Sequence, residues 1–122
     1  MSKIIKAMNV MISNSFSLRN VTQGHSPGEY FFNYEKYNWS IYRNHENEYF
    51  LNYYPKIKSF KQIIDISIDE WDESVEYVTY STKDLPTKEA RETFSELYTL
   101  VKEKIYGMDE ILDDIINNEI PF

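Results

Sequence analysis

Apolar and aromatic residues alternate with polar ones through much of the first 80 residues, a period-two pattern typical of half-buried β-strands. The first run predicts a long or bent strand whose apolar face is formed by Met8, Val10, Ile12, Phe16 and Leu18. Residues 20–28 (NVTQGHSPG) are rich in turn formers and predict a loop.

Further strands follow the same pattern. Residues 30–34 carry aromatic side chains on both faces, and residues 39–43 and 49–53 flank a polar turn (NHEN), which predicts a hairpin that ends at Pro55. Residues 64–68 alternate Ile with Asp and Ser, and residues 75–80 supply a last strand. The sequence therefore predicts five or six antiparallel strands joined as a meander.

The last third of the chain has helical periodicity. Apolar residues recur at spacings of three and four from Ala90 to Ile105, with Asp84 as the expected N-cap, Pro86 in the first turn and Gly107 as the stop. A second short helix is expected over residues 108–117, with acids on one side and Ile111, Leu112, Ile115 and Ile116 on the other.

These elements predict one α+β domain over residues 1–122. A meander sheet spans residues 4–80, and it is packed by a C-terminal helix over residues 85–106 and a short amphipathic helix over residues 108–117. Internal repeats and linkers are missing from the sequence, which agrees with a single domain.

Charge and composition narrow the function. The formal net charge is −7, so nucleic acid and anionic membranes are repelled and a basic protein is the favoured partner. Without cysteine there is no disulfide or thiolate site, and no apolar run approaches the roughly 20 residues that span a bilayer. We expect a cytoplasmic protein. The abundance of Tyr, Phe, Ile, Asn and Lys, all specified by AT-rich codons, suggests a low-GC bacterium or its phage.

The sequence lacks the signatures of common enzymes, including the nucleophile elbow, phosphate-binding loops and zinc motifs. His25 and His45 lie in predicted turns, where surface histidines are expected. The acidic turn at residues 69–73 lacks the ligand order and the glycine of a calcium-binding loop. We therefore expect no catalytic residue, no cofactor and no metal.

Aromatic residues are unusually dense, with eleven between residues 30 and 54, more than one face of a small sheet can bury. Tyrosine and tryptophan are common in binding surfaces, because they bury large areas at low entropic cost. The candidate aromatic binding residues are Tyr37, Trp39, Tyr42, Tyr49, Tyr53 and Tyr54. The alternative is that they fill strands as good strand formers.

The acids concentrate in two patches. The candidates are Asp69, Glu70, Asp72, Glu73 and Glu76 in the first, and Asp109, Glu110, Asp113 and Asp114 in the second. Carboxylates on a rigid scaffold can imitate a nucleic-acid backbone and occupy the basic groove of a nuclease. The leading hypothesis is a non-catalytic inhibitor that blocks a nucleic-acid-handling host defence protein, as phage-encoded anti-defence proteins such as anti-CRISPR inhibitors do.

Other functions remain open. The acids could be solvated faces that keep the protein soluble, and an immunity protein or antitoxin has the same expected features. A small-molecule or nucleotide-binding domain could use a tyrosine-lined pocket with Arg19, Arg43 or Arg91 holding an anion. A homo-oligomeric assembly subunit could bury the aromatic residues against another copy.

Overall fold

The computed structural model describes residues 2–56 and 76–118. In these ranges the chain forms, in order, helix α1 (Lys3–Ser13), a 3-10 turn (Ser15–Ser17), strands β1 (Leu18–Gln23), β2 (Glu29–Tyr34), β3 (Tyr37–Arg43), β4 (Tyr49–Tyr53) and β5 (Val78–Ser81), and helices α2 (Lys88–Ile105) and α3 (Met108–Asn117).

The described strands form one five-stranded sheet in the order β1-β2-β3-β4-β5, with each neighbouring pair antiparallel. This confirms the α+β fold and the meander. The strand expected at residues 64–68 and the start of the one expected at residue 75 lie outside the described residues.

Strand β1 extends into the segment predicted as a loop. Its pairing with β2 shifts register between Arg19 and Thr22, and Asn20 has a positive φ of 55°. A bulge of this kind lets turn-forming residues stay within an edge strand. The loop is therefore confined to the residues between Gln23 and Glu29.

The predicted N-terminal strand is wrong, because Lys3–Ser13 is an α-helix. Ser2 caps it, since its hydroxyl accepts a hydrogen bond from the Ile5 backbone N–H at 3.3 Å. The buried residues are Ile4, Ile5, Met8 and Met11. This set has helical spacing and includes Ile5 and Met11, which strand alternation would place on the face opposite Met8, so helical burial removes more apolar surface from water.

Helix α2 matches its prediction except at its start. Thr87, not Asp84, is the N-cap, and its hydroxyl accepts from the Ala90 backbone N–H at 3.1 Å. Asp84 instead accepts a hydrogen bond from the Ser81 hydroxyl at 3.1 Å, which holds it in the turn after β5. The helix ends before Gly107, which has a φ of 62° and also begins α3.

Helices α1 and α2 pack on the same face of the sheet. The wholly buried residues of this core include Met8, Phe32, Ile41, Leu51, Phe94, Leu97 and Val101. The expectation that α2 packs on the sheet is thus confirmed.

The opposite face of the sheet is also partly buried. Phe31 and Ser40 are wholly buried there, and Tyr54 lies over them after β4 ends. The Tyr54 and Ser40 hydroxyls are 2.8 Å apart, and the Asn52 side-chain amide donates to Ser40 at 3.2 Å. Burial raises the pKa of Tyr54, so its phenol stays neutral and keeps a proton for this network.

Mutations at Met8 and Val10 can distinguish a helix over residues 3–13 from a strand. Met8 is completely buried, whereas Val10 is 52% exposed, although both would share one face of a strand. We expect Met8→Ala to lower the free energy of unfolding by about 2–5 kcal/mol, and Val10→Lys to change it by less than about 0.5 kcal/mol. Urea unfolding followed by circular dichroism measures both. Equal losses in the two variants would favour a strand.

Candidate functional site

Helix α3 presents an uncompensated acidic surface. Asp109, Glu110, Asp113 and Asp114 are all exposed, and none of them forms an ion pair with another described residue. Asp109 and Glu110 lie in the first turn, where carboxylates stabilise the positive end of the helix dipole. Local helix stability is a sufficient reason for these two.

Local helix stability does not explain Asp113 and Asp114. Asp113 lies four residues after Asp109, and Asp114 lies four residues after Glu110, so each pair brings like charges together on the helix surface. Asp114 is also in the last turn, where α3 has no basic residue and a carboxylate opposes the dipole. These positions lower the stability of α3 and increase its negative charge.

The apolar side of α3 is exposed as well. Ile111, Leu112, Ile115 and Ile116 are 44–65% exposed, and not one of the ten residues of α3, all of them described, is buried. In the described chain, the hydrophobic core and the residues packed against it extend no further than Ile105. Because short amphipathic helices are stabilised mainly by packing of their apolar face, this face is a candidate contact surface.

The sequence analysis placed binding on the two acidic patches and on six aromatic residues, and it left the aliphatic residues of α3 without a binding role. The signal that points to them is the sharp division of α3 into an acidic and an aliphatic side. That signal becomes informative once α1 and α2 are known to cover the sheet.

The first acidic patch falls mostly outside the described residues, including Asp69, Glu70, Asp72 and Glu73. Glu76 is described and exposed, and its carboxylate lies 2.9 Å from the Lys56 ammonium. Its charge is thus partly balanced, unlike the charges on α3.

The candidate aromatic residues do not form one surface. Tyr49 and Tyr54 are buried in the folded chain: Tyr49 packs between the sheet and α2, and Tyr54 covers Ser40. Tyr37, Trp39 and Tyr53 cluster together, with the Trp39 and Tyr53 ring centroids 4.9 Å apart.

Tyr42 instead stacks on Phe50 on the opposite face of the sheet, at 6.0 Å. The Trp39 indole N–H is buried and has no hydrogen-bond partner among residues 2–56 and 76–118. Propensity and core packing therefore account for much of the aromatic content.

A charged network fixes the turn between β3 and β4 to α2. Arg91 donates from Nη2 to a Glu48 carboxylate oxygen at 3.2 Å and from Nη1 to the Asn47 carbonyl at 2.9 Å. Thr82 donates its hydroxyl proton to the same carboxylate, while its oxygen accepts from the Tyr49 backbone N–H at 3.0 Å. The Thr82 hydrogen bond, followed by Arg91, holds the pKa of Glu48 below its ordinary value.

Two kinds of structural feature are absent from residues 2–56 and 76–118. No group of three or more His, Asp or Glu side chains there is arranged to hold a metal ion. Likewise, none of the described helices has the length and apolar character needed to cross a bilayer. His45 is exposed in the β3–β4 turn, and the backbone N–H of His25 donates to Glu29 at 2.9 Å.

Comparison of the chain with known protein families, with curated proteins and with solved structures gives no match.

The Glu48 network predicts a defined dependence of stability on pH. Because folding lowers the pKa of Glu48, its contribution to stability is complete above its unfolded value of about 4.5 and is lost as pH falls through the lower folded value. We expect Glu48→Gln to unfold at lower urea concentration at pH 7, and the difference from the wild type to shrink below pH 4.5.

The matched control is Glu46→Gln, which removes a carboxylate exposed in the same turn. It should leave the urea midpoint near the wild-type value at both pH values. If Glu46→Gln and Glu48→Gln behaved alike, the effect would come from net charge and not from the network.

Proposed function

We propose that the protein is a non-catalytic, acidic protein-binding inhibitor that docks through α3 onto a basic, nucleic-acid-handling protein. A host defence nuclease or a similar complex of a low-GC bacterium fits this partner class. The observation that carries the proposal is that α3 exposes four carboxylates and four aliphatic side chains together. Aliphatic side chains of a helix in a folded protein are usually buried, and none of those on α3 is.

The carboxylates of α3 approach the charge density of a nucleic acid. Asp109 and Asp114 are separated by roughly 7.5 Å along the helix axis at about 1.5 Å per residue, so the four carboxylates have a mean axial spacing of about 2.5 Å. Double-stranded DNA carries about one charge per 1.7 Å of its axis. A groove built to bind phosphates therefore meets a similar local charge on this helix.

The aliphatic side of α3 supplies binding affinity that charge alone does not. Exposed ion pairs contribute little to affinity, whereas burial of an aliphatic helix face in a groove stabilises a complex through the hydrophobic effect. The carboxylates would then govern the rate and orientation of docking, and Ile115 and Ile116, the most exposed aliphatic residues of α3, would prolong the complex.

The test is affinity capture from a lysate of a low-GC bacterium at low and high salt, with captured proteins identified by mass spectrometry. We expect a basic nucleic-acid-binding protein that is released by salt. The captured protein is then purified and tested for nucleic-acid binding with and without the inhibitor. We expect the two ligands to compete.

Two variant sets locate the interface. The first neutralises α3 with Asp109→Asn, Glu110→Gln, Asp113→Asn and Asp114→Asn, and the second shortens its aliphatic side with Ile115→Ala and Ile116→Ala. We expect each set to weaken the complex by about tenfold or more, the first mainly through slower association and the second through faster dissociation.

The control set removes four exposed carboxylates from α2 through Glu89→Gln, Glu92→Gln, Glu96→Gln and Glu103→Gln, an identical change in net charge. It should bind the partner far better than the neutralised α3 set. Equal loss from both sets would show a general charge effect, and binding without competition by nucleic acid would refute the mimicry.

A further inference from the structure

The three arginines that could hold an anion have different surroundings. Arg91 is already occupied by Glu48 and by the Asn47 carbonyl. Arg19 lies exposed on the edge strand β1. Arg43, at the end of β3, lines a cleft of about 400 Å³.

The Arg43 guanidinium is held on one side and unpaired on the other. Its carbon lies 5.4 Å from the centroid of the Tyr98 ring, close enough for a cation–π contact that orients the planar group. No carboxylate of residues 2–56 or 76–118 lies within 4.0 Å of it. Its donors are thus available, and the guanidinium fork matches the two oxygens of a carboxylate or phosphate.

One wall of the cleft is formed by Tyr98 on α2, and the buried Tyr30 and Tyr49 pack against Tyr98 from the sheet. The Tyr98 ring on α2 lies 5.7 Å from that of Tyr30 and 5.6 Å from that of Tyr49. Burial raises the pKa of both Tyr98 and Tyr30, so both phenols stay neutral at physiological pH. Phenolate charge would repel an anion, and this wall does not carry it.

The backbone at the cleft favours glycine at position 28. Gly28 has a φ of 82°, and a Cβ added there would lie 3.2 Å from the Arg43 carbonyl oxygen and 3.3 Å from the Tyr98 hydroxyl. The Arg43 backbone N–H also donates to the Gly28 carbonyl at 3.3 Å. The loop is therefore fixed against the same two residues that form the cleft.

We propose that this cleft binds a small organic molecule through its phosphate or carboxylate group, which the Arg43 guanidinium holds beside the Tyr98 ring. His45 and Asn47 complete the rim with side chains of the β3–β4 turn. The cleft volume falls in the range typical of small-molecule sites, about 300–1,000 Å³. The site is separate from α3 and does not depend on the proposed docking function.

The experiment titrates the purified full chain with inorganic phosphate, adenosine monophosphate, benzoate and uncharged adenosine at millimolar concentrations, using thermal unfolding and calorimetry. We expect adenosine monophosphate or benzoate to raise the unfolding midpoint and adenosine to leave it unchanged. Binding of adenosine monophosphate without binding of benzoate assigns a phosphate site. Binding of benzoate without binding of adenosine monophosphate assigns a carboxylate site.

Three variants test the residue. Arg43→Gln should weaken binding by about tenfold or more, Arg43→Lys should retain part of it because the charge stays and the fork is lost, and Arg19→Gln should bind as the wild type does. The neutralised α3 set should also bind the anion normally, which separates this site from the docking surface. The proposal is overturned if no anion shifts the midpoint, or if Arg43→Gln and Arg19→Gln weaken binding equally.

Discussion

The core face of the sheet is covered by two helices, α1 from before the strands and α2 from after them, and this packing determines where the other features lie. Met8 and Val101 come from opposite ends of the chain, yet both are wholly buried against the same sheet. The Arg91–Glu48 pair then fixes α2 along the β3–β4 turn. With that face occupied, the core includes no residue of α3, and a short amphipathic helix projects both of its sides to the surface.

The elements that the sequence predicts well are those in which one period dominates. Helix α3 has the predicted bounds because its aliphatic and acidic residues separate at helical spacing alone, and the β3–β4 hairpin follows from strict alternation around a polar turn. Residues 3–13 satisfy both periods, and only the contact of α1 with α2 and the sheet decides between them. Similarly, Asp84 and Thr87 are both residue types that favour the N-cap position. Asp84 does not cap the helix because its carboxylate accepts a hydrogen bond from Ser81, and Thr87 is the N-cap.

The candidate site on α3 was predictable in part, because its residues follow a single helical period. Acids and aliphatics on α3 can be read from the chain, but their exposure depends on what else covers the sheet. Tyrosine is poorly predictable, because it fits a core and a binding surface equally well. Tyr49 contacts α2, whereas Tyr37 lies exposed near one end of the same sheet, and no local pattern separates the two. Arg43 and Tyr98 are 55 residues apart, so their contact is a product of the fold.

A chain with a net charge of −7 can still bind an anion. The distant acids act on the anion mainly during its approach, whereas the guanidinium acts on it in direct contact. At physiological ionic strength, screening reduces interactions between exposed charges separated by more than about 8 Å. The field of the acids therefore slows the approach of an anion but contributes little at a guanidinium in direct contact. On α3 the situation is reversed, since four adjacent carboxylates add their fields over a short distance and attract a basic surface before contact. The described part of the chain thus carries four adjacent carboxylates on α3 and an unpaired guanidinium at Arg43, a separation that allows one surface to favour cations and another to bind an anion.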